Sequence, residues 1–412
     1  MPLKTLNREH ATPRKGRGAG INPEGRFEKV AREAFDDGWN TGPDDGAPSE
    51  GGTGAPLGDV TPETDAAPAL DGTAPDSRTV ASRKREPCSP LAGAPPLKTY
   101  VTVEHAKSII TRNDSPDIPF TQSINPYRGC EHGCIYCYSR PSHAYLNLSP
   151  GVDFETRLFA KVNAAELLRK ELAQPGYQCE VIALGSNTDP YQPIEREYKI
   201  TRGILEVLAE CGHPAGIVTK NALIERDIDI LAPMAQQNLV NVYVSLNNLD
   251  HDLARRLEPR CVAPARRLET IRRLSAAGIP VGVIVAPVIP FLTDHQIEPV
   301  LRAAYAAGAR SAGYVLMRLP WEVKDLFRHW LETHYPLKAK HVMSRVREMR
   351  GGRDNDPGFG SRMRGSGEFA DLLHQRFDIA CERLGYNTGR RHRSLDTTRF
   401  RKPQLDGQLA LF

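Results

Sequence analysis

No stretch of this 412-residue chain reaches the roughly 20 consecutive apolar residues that cross a bilayer, so no membrane span and no membrane partner is expected. Met1 to Gly20 lacks the apolar core of a secretory signal, and a cytoplasmic location is expected. Cysteine is sparse, with eight in the whole chain, too few for a disulfide scaffold at this length. Repeats are absent apart from an alternation of strand-like and helix-like segments. What remains is an ordinary globular balance of 40% hydrophobic and 25% charged residues. The net charge of +4 is small but unevenly spread: Lys338 to Lys402 holds 16 Lys and Arg against 8 Asp and Glu. Such a field suits a polyanion such as nucleic acid, and equally a solvated surface.

Residues 1–96 are expected to form a mostly disordered arm. Asp36 to Pro96 is rich in Gly, Pro, Ala and Asp and cannot bury enough apolar surface to offset the entropy of ordering. Within the arm, Arg14 to Phe27 combines basic residues, a turn and one aromatic anchor; it can dock, though a flexible arm is the expected state. From Tyr100 short β-branched runs alternate with amphipathic stretches. Strands are expected at Gln122–Ile124, Val181–Gly185, Gly216–Thr219, Val242–Leu246, Val281–Ala286 and Ser311–Met317. Helices are expected at Leu158–Leu172, Ile200–Glu210, Ile228–Gln237, Ala265–Ala277 and Gln296–Ala307. Continuous apolar strands separated by helices mean a parallel sheet covered on both faces. Six such units predict an α/β fold of residues 97–320 as a partial, TIM-like (β/α)6 barrel, with its site at the carboxyl ends of the strands. Residues 321–386 form a helical, basic C-terminal extension, with helices at Val323–Glu332 and Phe369–Leu384 that take in Trp330 and place Trp321 beside it in the core. Residues 387–412 form an extended basic tail.

The informative cluster is Cys130-Glu-His-Gly-Cys134-Ile-Tyr-Cys137, with spacing C-x3-C-x2-C. Three thiolates on one short loop each bind one iron of a cubane and leave the fourth iron open. Gly129 and Gly133 let the loop curl. A zinc site wants four ligands, and only His132, inside the same tight loop, is at hand as a fourth. The spacing therefore favours Cys130, Cys134 and Cys137 as ligands of a [4Fe-4S] cluster whose open corner accepts a chelating substrate.

This arrangement resembles the radical S-adenosylmethionine (SAM) superfamily, and Tyr136 before the last cysteine fits its common pattern. The resemblance implies SAM as second cofactor and an external one-electron reductant of flavodoxin or ferredoxin type. It also implies reductive cleavage of SAM to methionine and a 5′-deoxyadenosyl radical that abstracts hydrogen from a substrate. Residues 100–340 look like the DNA-repair-photolyase-like group, to which spore photoproduct lyase is related. Within that group Ser115 to Cys130, Tyr138 to His143, Asp153-Phe-Glu155 and Asn187 to Pro193 resemble a bacterial subfamily; the resemblance carries no substrate with it. It places SAM contacts at Ser186 to Asp189, Lys220 and Ser245. Polar strand ends suit a zwitterionic ligand, which Lys220 and Ser245 favour, while Asp189 serves equally as a strand-end cap. The chain departs from that group in having no cysteine in Leu184-Gly-Ser-Asn-Thr-Asp189, where photoproduct lyase carries a hydrogen donor; Cys179 lies at the wrong end of its strand. This points away from thymine-dimer reversal and leaves another lesion, RNA or an unrelated substrate open.

Arg260, after the fourth strand, is a candidate partner for the SAM carboxylate or a substrate phosphate, and equally for a neighbouring helix. His143 is a candidate proton donor or a structural histidine. The C-terminal Gln408-Leu-Ala-Leu-Phe412 resembles the pentapeptide with which bacterial proteins bind the sliding clamp, Gln408, Leu409, Leu411 and Phe412 making the contacts. Three readings stay open: a radical SAM enzyme acting on nucleic acid, in the manner of a repair lyase; one modifying a protein, peptide or small molecule; and a non-enzymatic iron-sulfur module that binds nucleic acid.

Overall fold

The computed structural model describes residues 16–27, 97–388 and 394–404. Its main element is a seven-stranded sheet of β2 (Ile110–Arg112), β3 (Gln122–Ile124), β6 (Ile182–Leu184), β7 (Ala215–Thr219), β8 (Val240–Ser245), β9 (Val281–Val288) and β10 (Ser311–Leu316), in the spatial order β10-β9-β8-β7-β6-β3-β2. From β3 to β10 every pairing is parallel, and β2 closes one edge antiparallel. Among the described residues no pairing joins β10 to β2, so the sheet is an open barrel. β6 is apolar on both faces, whereas β8 alternates buried valines with the half-buried Asn241 and Tyr243. Ile182, Ala183 and Leu184 are all buried, as are Val240, Val242 and Val244.

The covering helices follow their strands with a 3.6-residue apolar period. Ile200–Glu210 buries Ile200, Ile204, Leu205, Val207 and Leu208. Pro264–Ala276 buries Ile271 and Leu274 and ends at Ala277, where Gly278 takes φ +78° and turns the chain into β9. Ile228–Gln236 and Ile297–Ala306 complete the layer. Beyond β10, Val323–His334 and Pro336–Glu348 enclose Phe327, Trp330 and Val346, while Glu368–Leu384 packs on Ile297–Ala306 and β10. Among the described residues no helix is long and apolar enough to cross a membrane.

The helix expected over Leu158–Leu172 is in fact strand and helix. Arg157–Lys161 is β5, its side chains alternating outward and inward with period two, and the helix begins at Ala164. β5 lies between β1 (Tyr100–Glu104), parallel, and β4 (Tyr127–Arg128), antiparallel, in a second small sheet. The flexible state expected of Arg14 to Phe27 is also corrected for its described part. Residues 16–27 form a strap with Arg17 and Ala19 buried: the N–H groups of Gly18 and Ala19 donate to the buried Glu155 carboxylate, and Arg17 donates to the Glu155 backbone carbonyl. Trp321, expected in the core, precedes its helix, is 58% exposed and has φ +45°. The pentapeptide Gln408–Phe412 lies outside the described residues.

Candidate active site

Cys130, Cys134 and Cys137 stand on the loop that leaves β3 and β4 at the carboxyl end of the sheet. Gly133 sits at φ +67°, and a Cβ there would come 2.8 Å from a Glu155 carboxylate oxygen, so the curl requires glycine. The buried Arg140 fills the inside of the loop. Its Nε donates to Cys134 O at 3.0 Å, its Nη2 to Gly133 O at 3.2 Å and to Glu155 Oε1 at 2.5 Å. Glu155 also accepts from the backbone N–H of Gly18 and Ala19 at 3.0 and 2.8 Å, and Arg17 donates to Glu155 O at 2.8 Å. From the other side Gln192 accepts from Glu131 N at 3.0 Å and donates to Gly129 O at 3.1 Å. The sequence segments around Arg17, Arg140, Glu155 and Gln192 thus converge on one loop and hold its shape.

All three cysteines are free thiols, Cys130 and Cys134 buried. Burial, then the neighbouring Cys134 and Cys130, push the Cys137 thiol up to about 11. Three thiols on one short loop suit an iron-sulfur cubane, whose cations would stabilise their deprotonated form. Among the described residues no three His, Cys, Asp or Glu side chains are gathered as a site for a single metal ion. The case for the thiols rests on their shared loop and spacing.

A polar pocket adjoins the loop. Lys220, one residue past β7, donates from Nζ to Ser245 Oγ at 2.7 Å, and Ser245 ends β8. Burial would neutralise Lys220, but Glu258, Cys134 and Cys261 raise its pKa above the ordinary lysine value. Glu258 is buried; burial would raise its pKa, yet Arg267 and Lys220 hold it below the usual carboxylate range. Tyr136 Oη and Arg267 Nη2 both donate to Glu258. The loop carrying Glu258 is laced to the cysteine loop by Ile135 N to Leu257 O at 3.0 Å and Arg260 N to His132 O at 3.3 Å. Beside them Cys261 Sγ lies 3.8 Å from Cys134 Sγ.

The expected residues divide into two groups. Tyr136, Lys220 and Ser245 come together around Glu258. Asp189 is spent on the scaffold, accepting from Thr219 Oγ1, Lys220 N and Tyr191 N and facing His132 Nδ1 at 3.4 Å. Ser186 is tied to Asn125, and its carbonyl accepts from Tyr138 Oη. Arg260 pairs with Glu131 at 2.6 Å and so pins the cysteine loop. His143 is buried, its Nε2 2.9 Å from Arg157 O. Glu258, Arg267 and Cys261 went unread as site residues. A charged Arg267 on the apolar face shared with Ile271 and Leu274 is the signal that marks it. Leu184–Asp189 holds no thiol, and the fourth thiol near the loop, Cys261, comes from another segment.

Residues 124–304 match the sequence model of the Radical SAM superfamily. An uncharacterised protein of Mycobacterium tuberculosis (strain ATCC 25618 / H37Rv) is 41% identical over 234 residues, which are 56% of this chain and 68% of that one. One of Methanocaldococcus jannaschii is 27% identical over 216 residues, 52% of this chain and 76% of that one. Among solved structures, spore photoproduct lyase complexed with dinucleoside spore photoproduct aligns with a TM-score of 0.49 and 16% identity, over 69% of this chain and 80% of that one. The cysteine loop, the matched residues and the relative in M. tuberculosis lead to one assignment: this chain is an enzyme of the radical SAM superfamily.

Proposed function

We propose that Cys130, Cys134 and Cys137 hold a [4Fe-4S] cluster, that SAM docks between it and the Lys220–Ser245–Glu258 pocket, and that the enzyme acts on nucleic acid. The observation that supports this most is the junction of two independent features at the carboxyl end of one sheet: a loop of three thiols and a buried pocket of both charges. When bound, the cluster would supply the one electron that breaks a C–S bond of the SAM sulfonium, methionine leaving and a carbon-centred radical remaining.

The chain's own residues bind and orient. The amino-acid end of SAM is a zwitterion and needs one cation and one anion. Lys220 supplies the first and keeps N–H donors beyond its bond to Ser245; Glu258 supplies the second. Tyr136 and Arg267 fix Glu258 in place, and both are buried, so water is excluded from that side. Asp189 and Ser186 set the strand-end loops at the pocket's edge. Arg260 keeps the cysteine loop closed through Glu131. A small one-electron protein of flavodoxin or ferredoxin type supplies the reducing equivalent, in a cytoplasm that keeps the thiols reduced. The nucleic-acid reading rests on the basic C-terminal region, 16 Lys and Arg against 8 Asp and Glu from Lys338 to Lys402. Gln408, Leu409, Leu411 and Phe412 deliver the enzyme to DNA through the sliding clamp.

The test is anaerobic reconstitution with SAM and dithionite, with mass spectrometry of damaged DNA and bulk RNA. 5′-Deoxyadenosine formation lost in Lys220→Ala, together with a new nucleic-acid product, is expected. A product found only on peptide or small-molecule substrates contradicts the nucleic-acid reading.

A further inference from the structure

Arg318 follows β10 at the carboxyl end of the sheet, and among the described residues no carboxylate lies within ion-pair distance of it. Its Nε is buried without a hydrogen-bond partner, and its Nη1 meets only the Met363 sulfur, at 3.4 Å. Arg318 is half-buried, and a buried N–H without a partner is costly unless a ligand at the exposed end of the group helps complete it.

The surroundings make it a built position. The buried Arg350 donates to the carbonyls of Leu316 and Met317 at 3.2 and 2.7 Å and to those of Ser361 and Arg362 at 2.9 and 2.9 Å. It thereby fastens the segment around Arg362 to the end of β10. Arg362 in turn is held by Asp117, at 2.7 Å from Nε. Arg350 has carbonyl acceptors and Arg362 a carboxylate, whereas among the described residues Arg318 has neither; burial, then Arg362, pull its pKa below the ordinary arginine value.

Two aromatic faces flank these cations. The Arg318 guanidinium lies 5.4 Å from the Tyr138 ring centroid and that of Arg362 lies 4.7 Å from Phe359. Tyr138 is 48% exposed and Phe359 is 60% exposed. Tyr138 directly follows Cys137 and donates from Oη to Ser186 O at a strand end, so this patch borders the site described above. A guanidinium without an anion beside one exposed ring, with a second exposed ring on the neighbouring Arg362, matches a nucleotide chain: phosphate for the cation, bases for the rings.

We propose that Arg318 binds a phosphodiester oxygen of the substrate strand at the mouth of the barrel, with Tyr138 and Phe359 as stacking faces for adjacent bases. This rests on the nucleic-acid reading and adds where the strand enters. The other source of an anion here is the carboxylate of SAM. Arg318 follows β10, whereas Lys220 and Ser245 follow β7 and end β8, with β9 between, which places it on the substrate side.

The test uses full-length reconstituted protein and a fluorescent single-stranded oligonucleotide, with anisotropy titrations at several salt concentrations. Each phosphate contact to a single strand contributes about 0.7 to the slope of log affinity against log salt. Arg318→Gln is expected to lower that slope by about 0.7 and to weaken binding several-fold, with iron content and SAM affinity unchanged. Arg318→Lys, which keeps the charge, retains the slope. Phe359→Ala weakens binding without changing the slope. A wild-type slope that persists in Arg318→Gln overturns the proposal and leaves the nucleic-acid reading intact. Loss of SAM affinity in Arg318→Gln overturns it in favour of the SAM carboxylate. Absence of salt-dependent binding in the wild type overturns both.

Discussion

Cys261 Sγ lies 3.8 Å from Cys134 Sγ, held there by backbone hydrogen bonds that flank both residues. In cluster-free protein, diamide should therefore remove the two thiol hydrogens and their electrons and link these cysteines, the diamide becoming the hydrazine. Peptide mapping is expected to find the Cys134–Cys261 pair, lost in Cys261→Ala and suppressed once the cluster is loaded. Linkage of Cys134 only to Cys130 or Cys137 contradicts this geometry.

Arg140 and Glu155 form a fully buried ion pair inside the cysteine loop. Removing one partner leaves the other charge uncompensated, which costs about 3–5 kcal/mol. Glu155→Ala is expected to lose that much in denaturant unfolding of cluster-free protein and to lose iron rapidly when reconstituted. A loss under about 1 kcal/mol would assign the pair a minor role.

The strap passes so close to the loop that a Cβ on Gly18 would meet Gly133 O at 1.8 Å. Gly18→Ala should lift Arg17 and the strap away and expose the loop to oxygen. Cluster absorbance in air is expected to decay several times faster than in the wild type, whereas Gly16→Ala, whose Cβ meets nothing within 4 Å but whose φ of +73° carries backbone strain, should decay more slowly than Gly18→Ala. Equal decay in wild type and Gly18→Ala contradicts the shielding role.

Burial pulls the pKa values of His143 and His213 down to about 4, from an ordinary 6.5. Between these values the unfolded chain binds protons that the folded chain does not. Stability is therefore full above pH about 6.5 and falls as pH drops toward about 4, by on the order of 3 kcal/mol per histidine. Urea unfolding of cluster-free protein across this window should show the decline, and His143→Gln with His213→Gln should flatten it. A flat wild-type profile would contradict the buried neutral state.

The parallel strands were legible because each is an apolar run bounded by turns, and the cysteine loop because its spacing is the chemistry. The segments around Tyr138–His143, Asp153–Glu155 and Asn187–Pro193 were also legible, but as motifs without roles. Arg140, Glu155 and Gln192 prove to be braces of the loop, a function visible only when all reach one point. β5 was hidden because Leu158 and Leu168 continue an apolar pattern across Asn163, and its partner β1 is far away in sequence. The Glu258–Arg267 pair joins a loop to the next helix and leaves no spacing signature. Trp321 misleads because aromatics favour cores, while a positive φ and a cation–π contact to Arg26 at 4.0 Å hold it outside.

The central claim is that three thiols of one loop hold a cluster with an open iron. Anaerobic reconstitution followed by iron analysis and Mössbauer spectroscopy, with and without SAM, tests it most directly. The account predicts about four irons per chain, one of them spectroscopically distinct and shifted by SAM, and loss of the cluster in Cys130→Ala, Cys134→Ala or Cys137→Ala but not in Cys381→Ala. A protein that holds one zinc and no iron, or four irons that SAM leaves unchanged, would contradict it.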